Sequence, residues 1–147
     1  MKKFFAKYKY KILFIAAAAI LIAVIFALFS VDGATNRRNI EYINSFGWEV
    51  EDSPSDISHL TIPEDMSDIY LVHSGISAID GSSIIDYRGK SITRYSYTVL
   101  NHQNSDNGKI RADIFVYKND IIAADISDIS PHGVIKPISE VTDMSPY

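Results

Sequence analysis

One basic and aromatic cluster is the part of this sequence best suited to binding a charged partner. Arg and Tyr side chains can bind a carboxylate or a peptide through guanidinium forks and amphipathic rings. The same side chains can instead stack on one another across paired strands and serve the fold. The residues alone leave both interpretations open, and we take the cluster as the candidate binding site. Its members are Tyr87, Arg88, Lys90, Arg94, Tyr95 and Tyr97.

Carboxyl pairs, serines and histidines are weaker candidates for catalysis or metal binding. Asp125 and Asp128 lie near one predicted strand end, and a glycosidase needs two acids on either side of a cleft. Ser82-Ser83 has no Gly-x-Ser-x-Gly elbow around it. No two histidines have the i, i+2 or i, i+4 spacing of metal ligands. We therefore expect no catalytic residue, no cofactor and no metal. The histidines are His59, His73, His102 and His132.

Charge and cysteine content exclude several classes of function. All 18 acidic residues follow Val31, whereas only nine of the 14 basic residues do. An acidic domain is a poor partner for nucleic acid, whose phosphates require a basic surface. The absence of cysteine excludes thiol catalysis, thiolate metal sites and disulfides.

A long apolar stretch precedes the acidic region. Residues 12–31 contain no charge and no proline, and about twenty such residues cross a bilayer as one helix. Five lysines in residues 1–11 favour a cytoplasmic N-terminus, which places the later residues outside the cell membrane. A cleaved signal peptide is the alternative, but its apolar region is shorter and ends at a small-x-small site. Both alternatives export the same domain.

These features predict one small α+β domain on a membrane anchor. The predicted order is a helix, a hairpin, a second helix and a three-stranded meander, with the helices on one face of an antiparallel sheet. The predicted divisions are a cytoplasmic tail at 1–11, a transmembrane helix at 12–31, a linker at 32–36, the extracytoplasmic domain at 37–138 and a loosely ordered tail at 139–147.

Local patterns give the elements of this domain. A helix beginning near Thr35 or Asn36 should end at Gly47. Residues 48–51 alternate apolar and acidic side chains, and residues 59–62 predict a second short strand, so we expect the two to form a hairpin. A second helix is expected over 63–79. Strands are predicted at 91–101, 110–116 and 121–126, with the hairpin signal Asn107-Gly108 between the first two. Residues 131–137 predict a loop or a short edge strand.

Several short motifs resemble one bacterial family known as domain of unknown function 4830. The motifs are Phe46-Gly47-Trp48-Glu49-Val50, Ile62-Pro63, Tyr87-Arg88-Gly89-Lys90, Arg94-Tyr95-Ser96-Tyr97 and Asn101. The resemblance covers residues 37–138 and implies a small domain behind one N-terminal membrane helix. Ala123-Ala124-Asp125 and His73-Ser74 depart from the family pattern. The resemblance implies no activity.

The functional expectation is a non-catalytic binding or interaction module at the cell envelope. Its expected partners are the lipid bilayer, through residues 12–31, and an envelope protein or a peptide. Two alternatives remain open. The chain is an exported hydrolase that acts on the envelope, or it is an accessory subunit of a membrane signalling system.

Overall fold

A computed structural model describes residues 2–65, 73, 75–79, 82–105 and 108–140, with the side chains of residues 2–13 and 23–32 outside that description. The fold is α+β, as the sequence predicts, with one long helix, a short 3-10 helix and five strands in the described part. The chain divides into two compact units, Met1–Thr35 and Asn36–Tyr147. The predicted tail at 139–147 lies outside the described residues from 141 onward.

Helix α1 runs without interruption from Lys2 to Ser45. Residues 32–36, which the sequence predicts as a linker, are helical. One glycine at position 33 costs a helix only about 1 kcal/mol. The predicted membrane segment, 12–31, lies within α1, and the side chains of 12–13 and 23–31 lie outside the described residues. In the part of the chain that the structure describes, no helical segment combines the length and apolarity needed to cross a membrane. The helix ends as predicted, since Gly47 adopts φ +86°.

The sheet contains five antiparallel strands in sequence order. They are β1 (Asp56–Thr61), β2 (Ser91–Thr98), β3 (Ile110–Tyr117), β4 (Asp120–Asp128) and β5 (Ile135–Pro137). The predicted meander is confirmed in β2, β3 and β4, which pair in consecutive order; residues 99–109 connect β2 to β3, and Lys118 and Asn119 connect β3 to β4. The edge strand predicted within 131–137 is β5, which pairs with β4.

The predicted hairpin between residues 48–51 and 59–62 is wrong. Val50 forms an isolated bridge with Val99, and β1 pairs with β2 from Asp56 opposite Ser96 to Thr61 opposite Ser91. Both segments therefore run along the same edge of β2, one after the other. The intervening polar residues, which resemble a hairpin turn in the sequence, form a bulge in a single interrupted edge strand.

The two sides of the sheet are covered by different elements. The last turns of α1 pack through Ile43 against one side, which we call the helix face; it also carries Tyr97 and Ile114. The opposite side, which we call the polar face, carries Arg94, Ser96 and Asp113 at alternate positions. A 3-10 helix, Ile84–Tyr87, which is not among the elements predicted from sequence, packs on the polar face.

The second predicted helix, at 63–79, falls partly outside the described residues, at 66–72 and 74. His73, Gly75 and Ile76 are helical, and Ala78 forms a bridge with Ala123 of β4. This segment therefore also contacts the sheet. Because both faces of the sheet are covered, β3 and β4 are buried along most of their length instead of alternating between core and solvent.

Candidate functional site

The sheet separates the predicted basic and aromatic cluster into two groups. Tyr95 and Tyr97 lie on the helix face, whereas Arg94 lies on the polar face. Tyr97 is fully buried, and its hydroxyl donates to Asn36 Oδ1 at 2.9 Å and accepts from Asn39 Nδ2 at 3.2 Å. Tyr97 therefore anchors the end of α1 to the sheet and cannot reach a ligand from its buried position.

The other members of the cluster lie near the start of β2. The ring of Tyr87, in the 3-10 helix, packs against Tyr117 with 5.3 Å between centroids. Arg88 and Lys90 are exposed at the turn that follows. Tyr95 is half-buried against the helix-face core. The six residues thus do not converge on one surface, although Arg94 borders a cleft.

Arg94 joins β2 to the edge strand β1. Its Nη2 donates to Asp56 Oδ2 and to Ser58 Oγ, each at 3.3 Å. Hydrogen bonds from Ser58 and then from Arg94 lower the pKa of Asp56 below its usual value. Among the described residues, the buried Nε of Arg94 has no hydrogen-bond partner.

A row of polar side chains crosses the polar face beside Arg94. In register, Ser96 on β2 lies opposite Asp113 on β3, and Asp113 lies opposite Asp125 on β4. The hydroxyl of Ser96 donates to Asp113 Oδ1, and that of Ser127 donates to Asp113 Oδ2 at 3.0 Å. All four side chains are buried. The two hydroxyls therefore fix the Asp113 carboxyl in one orientation.

Asp125 is the most perturbed acid in the described part of the chain. It is 1% exposed, and the hydroxyl of Ser77 donates to its Oδ2 at 2.5 Å. Burial raises the pKa of Asp125 to about 7, and the neighbouring Asp113 adds to this rise while Ser77 opposes it. His73 Nε2 lies 3.6 Å from Oδ2, and burial lowers the pKa of His73. No described residue bonds Asp125 Oδ1.

A cleft of about 410 Å³ opens on the polar face over this row. Cavities of this size accommodate small organic ligands. Its polar wall contains Arg94, Asp113, His73 and Ser127. Asp128 also borders the cleft at the end of β4, but it lies opposite Ile110, so its side chain is on the helix face. The remaining wall of the cleft is largely apolar and comes from the end of β1, the 3-10 helix, β3 and the chain after β4. The apolar residues are Leu60, Ile62, Ile84, Phe115, Ile129 and Ile135.

The paired acids of this region differ from the pair expected from sequence. Asp125 does lie at a candidate site, but its partner in register is Asp113 rather than Asp128. Asp128 is at the end of β4, where Ser130 donates to its Oδ1 at 2.9 Å from the backbone N–H and 2.5 Å from the hydroxyl, and these bonds lower its pKa. Two aspartates in the interior of apolar strands were a signal available in the sequence, since strands disfavour Asp.

His73, Asp113 and Asp125 lie close together, and imidazoles and carboxylates are common metal ligands. Among the residues that the structure describes, no three His, Asp or Glu side chains are placed to hold a metal ion.

No family model, curated protein or solved structure matches this chain. The resemblance to domain of unknown function 4830 therefore stays a prediction.

The motifs behind that resemblance contact one another. Asn101 Nδ2 donates to Gly47 O at 2.9 Å, and Glu49 N donates to Asn101 Oδ1 at 3.0 Å. Ile62 N donates to Lys90 O at 3.0 Å, and Gly89 N donates to Ile62 O at 2.9 Å. These contacts hold residues 47–49 and Ile62, at the two ends of the chain along the edge of β2, against the sheet. The motif residues therefore stabilise the sheet.

Proposed function

We propose that this chain is a membrane-anchored binding module whose outer domain, residues 37–138, binds a ligand or a peptide in the polar-face cleft. The observation that carries the proposal is the cleft itself, in which apolar walls surround Arg94, Asp113 and His73. Binding sites commonly combine a largely apolar wall with a few fixed polar groups. In this proposal the domain lies outside the cell membrane and meets an envelope protein or peptide.

The anchor in this proposal is the apolar segment 12–31 of α1. Its support is the uncharged run of about twenty residues behind five lysines. Large apolar side chains in the described part of the segment are also exposed, and exposed apolar surface of this kind is stabilised by lipid. These side chains are Phe14, Ile15, Ile20, Leu21 and Ile22.

The absence of cysteine makes the membrane topology directly testable. Single cysteines replace Lys3 in the basic tail or Lys109 in the outer domain, and intact cells are treated with a maleimide that cannot cross membranes. The proposal predicts labelling of Lys109→Cys in intact cells and of Lys3→Cys only after lysis. The reverse pattern, or recovery of the chain in the soluble fraction, contradicts the anchor.

Binding in the cleft is tested by photocrosslinking in membranes of the native host. A benzophenone amino acid replaces Ile129, which is 59% exposed at the cleft, or Ile57, which is 51% exposed on the other side of the sheet. The proposal predicts a discrete adduct from position 129 and none from position 57. Identical adducts from both positions, or none from position 129, contradict cleft binding.

A hydrolase is the second candidate, and the raised pKa of Asp125 beside a cleft is the observation that favours it. A general acid must reach the substrate, however, and Asp125 is buried behind His73 and Ser77. Turnover of cell-wall fragments that is lost in Asp125→Asn would favour the hydrolase. A photocrosslinked partner with no turnover would favour the binding module.

A further inference from the structure

The polar face of the sheet holds two buried aspartates side by side. Asp113 on β3 lies directly opposite Asp125 on β4, and the two are 8% and 1% exposed. Two buried carboxyl groups at such positions do not both ionise readily, so one retains its proton to a higher pH. Ser96 and Ser127 each donate to Asp113, one to each oxygen. Ser77 is the described donor to Asp125, whose Oδ1 no described residue bonds. Asp125 is therefore the member of the pair that stays neutral.

The donor to Asp125 belongs to a short piece of chain that is docked on the edge of β4. Ala124 N donates to Ser77 O at 2.9 Å, and Ala78 forms a bridge with Ala123. Strand β5 occupies the same edge of β4 farther along. Residues 77 and 78 thus continue the pairing of that edge. Because the Ala124 N–H is bonded to Ser77 O, its exchange with solvent reports whether this piece of chain is in place.

The same piece of chain is joined to one wall of the cleft. Ser77 N donates to His73 O at 3.0 Å, across one helical turn. The His73 ring lies edge-on to Phe115 with 6.2 Å between centroids, and it lines the cleft. Its Nε2 is 3.6 Å from Asp125 Oδ2. A movement of Ser77 away from β4 therefore moves His73 and changes the cleft wall.

Three described residues with charged or titratable side chains face Asp125. Asp113 on β3 opposes its ionisation, whereas Arg94 on β2 favours it. His73 faces it from the docked chain, and burial lowers the pKa of His73 and so favours the neutral imidazole. The residue opposite Asp125 on β5 is Pro137, which does not titrate. Burial is the largest influence on the pKa of Asp125, so a charge there is unfavourable while the chain covers it.

We propose that ionisation of Asp125 loosens residues 77 and 78 from the edge of β4 and thereby moves the His73 wall of the cleft. The neutral carboxyl tolerates burial, whereas the carboxylate gains hydration when the chain opens. Because the opened state releases a proton that docked Asp125 holds, opening becomes more favourable as pH rises toward about 7. This pH-sensitive docking is a property of the domain itself, and it goes beyond the proposed function because it requires no ligand.

Amide hydrogen exchange of the full-length chain in non-ionic detergent micelles, followed by NMR, measures this opening. The reporter is Ala124 N–H, and the reference is Ile114 N–H in the fully buried centre of β3. A His73→Gln background removes the opposite pH dependence of His73. After correction for the intrinsic exchange rate, Ala124 should be less protected than Ile114. Its protection should fall by up to about tenfold per pH unit between about pH 5 and 7, because one proton is released on opening.

A charge-neutral variant assigns the pH dependence to one carboxyl. Asp125→Asn cannot ionise, so the protection of Ala124 should become independent of pH over the same range. Asp120→Asn, at the exposed opposite end of β4, is the matched control and should keep the fall. If Asp125→Asn does not fold, Asp113→Asn is the second test. Loss of its charge should move the fall in Ala124 protection to lower pH.

Two results would overturn the proposal. Equal free energies of opening for Ala124 and Ile114 would show that Ser77 leaves β4 only when the whole domain unfolds. A fall in Ala124 protection that persists unchanged in Asp125→Asn would show that another group is responsible. Neither result depends on whether a partner is crosslinked in the cleft, so failure of this inference is distinguishable from failure of the proposed function.

Discussion

Asp113 and Asp125 lie directly opposite each other on neighbouring strands, on the same face and both buried. Like charges at such positions repel each other, and burial penalises each charge further. The chain accommodates the pair by giving Asp113 two serine donors and by leaving Asp125 with a pKa of about 7. The stability of the outer domain therefore depends on whether Asp125 is protonated.

The first prediction concerns the pH dependence of stability. Between its usual value of 3.8 and about 7, folded Asp125 holds a proton that the unfolded chain releases. Its contribution therefore makes the free energy of unfolding fall as pH rises from about 4 to about 7, by on the order of 4 kcal/mol in total. Asp125→Asn removes this loss, so the variant should gain stability relative to the wild type as pH rises.

Urea unfolding followed by the fluorescence of Trp48 measures this difference. Trp48 is the single tryptophan and is 2% exposed, so unfolding changes its surroundings. The lowered pKa of His73 acts in the opposite direction, since it makes stability rise as pH approaches 6.5 from below. Asp120→Asn serves as the control and should parallel the wild type. If the free energy of unfolding of Asp125→Asn changes with pH in parallel with that of the wild type, the raised pKa of Asp125 is refuted.

The second prediction concerns the hydroxyl of Ser77. This side chain is fully buried, and it is the described donor to Asp125 Oδ2. Ser77→Ala should destabilise the wild type by about 1–3 kcal/mol above pH 7, because it leaves a buried ionised carboxyl without its hydrogen bond. The loss should be smaller at about pH 5, where Asp125 is protonated. A double-mutant cycle with Asp125→Asn measures the coupling, and additive effects would contradict the bond.

The third prediction separates Tyr97 from ligand binding. Tyr97→Phe removes the hydroxyl that bonds Asn36 and Asn39. We expect a loss of about 1–2 kcal/mol in unfolding free energy, since the buried Asn39 loses a partner. The adduct from a benzophenone at position 129 should not change, because Tyr97 lies on the opposite face of the sheet. Tyr117→Phe on the polar face is the matched control for stability, and an equal loss in both variants would show that the buried hydroxyl network is not the cause.

The fourth prediction concerns the hydrogen bond between Trp48, which precedes the chain along the edge of β2, and Ile138, which follows β5. Trp48 Nε1 donates to Ile138 O at 2.8 Å, and both residues belong to the helix-face core. Trp48→Phe keeps much of the apolar area but leaves a buried carbonyl unpaired, at a cost of about 1–3 kcal/mol. Thermal unfolding by circular dichroism checks this. A transition within experimental error of the wild type would contradict it.

Much of the sheet was predictable because its central strands are local. Residues of β2, β3 and β4 are rich in strand formers, and each strand pairs with the next in sequence. The pairing of β1 was not predictable in this way. Thr61 lies opposite Ser91, thirty residues away in sequence, and a local turn signal between 51 and 56 favoured a hairpin that does not form.

The candidate site was harder to predict than the sheet. The position of Arg94 on a strand was evident, but the identity of its neighbours depends on strand pairing that brings Asp113 and Asp125 to the same row. The prediction that Tyr97 contacts a ligand did not take account of α1, which covers that face of the sheet. Spacing along one strand shows which residues share a face, whereas the element that covers the face depends on distant contacts.

Photocrosslinking from the two faces of the sheet tests the central claim most directly. The account predicts a discrete adduct from a benzophenone at position 129, which lines the polar-face cleft. It predicts none from position 57, which lies opposite Tyr95 on the helix face. An adduct from position 57 alone would contradict the claim that the polar face of this sheet is the binding site.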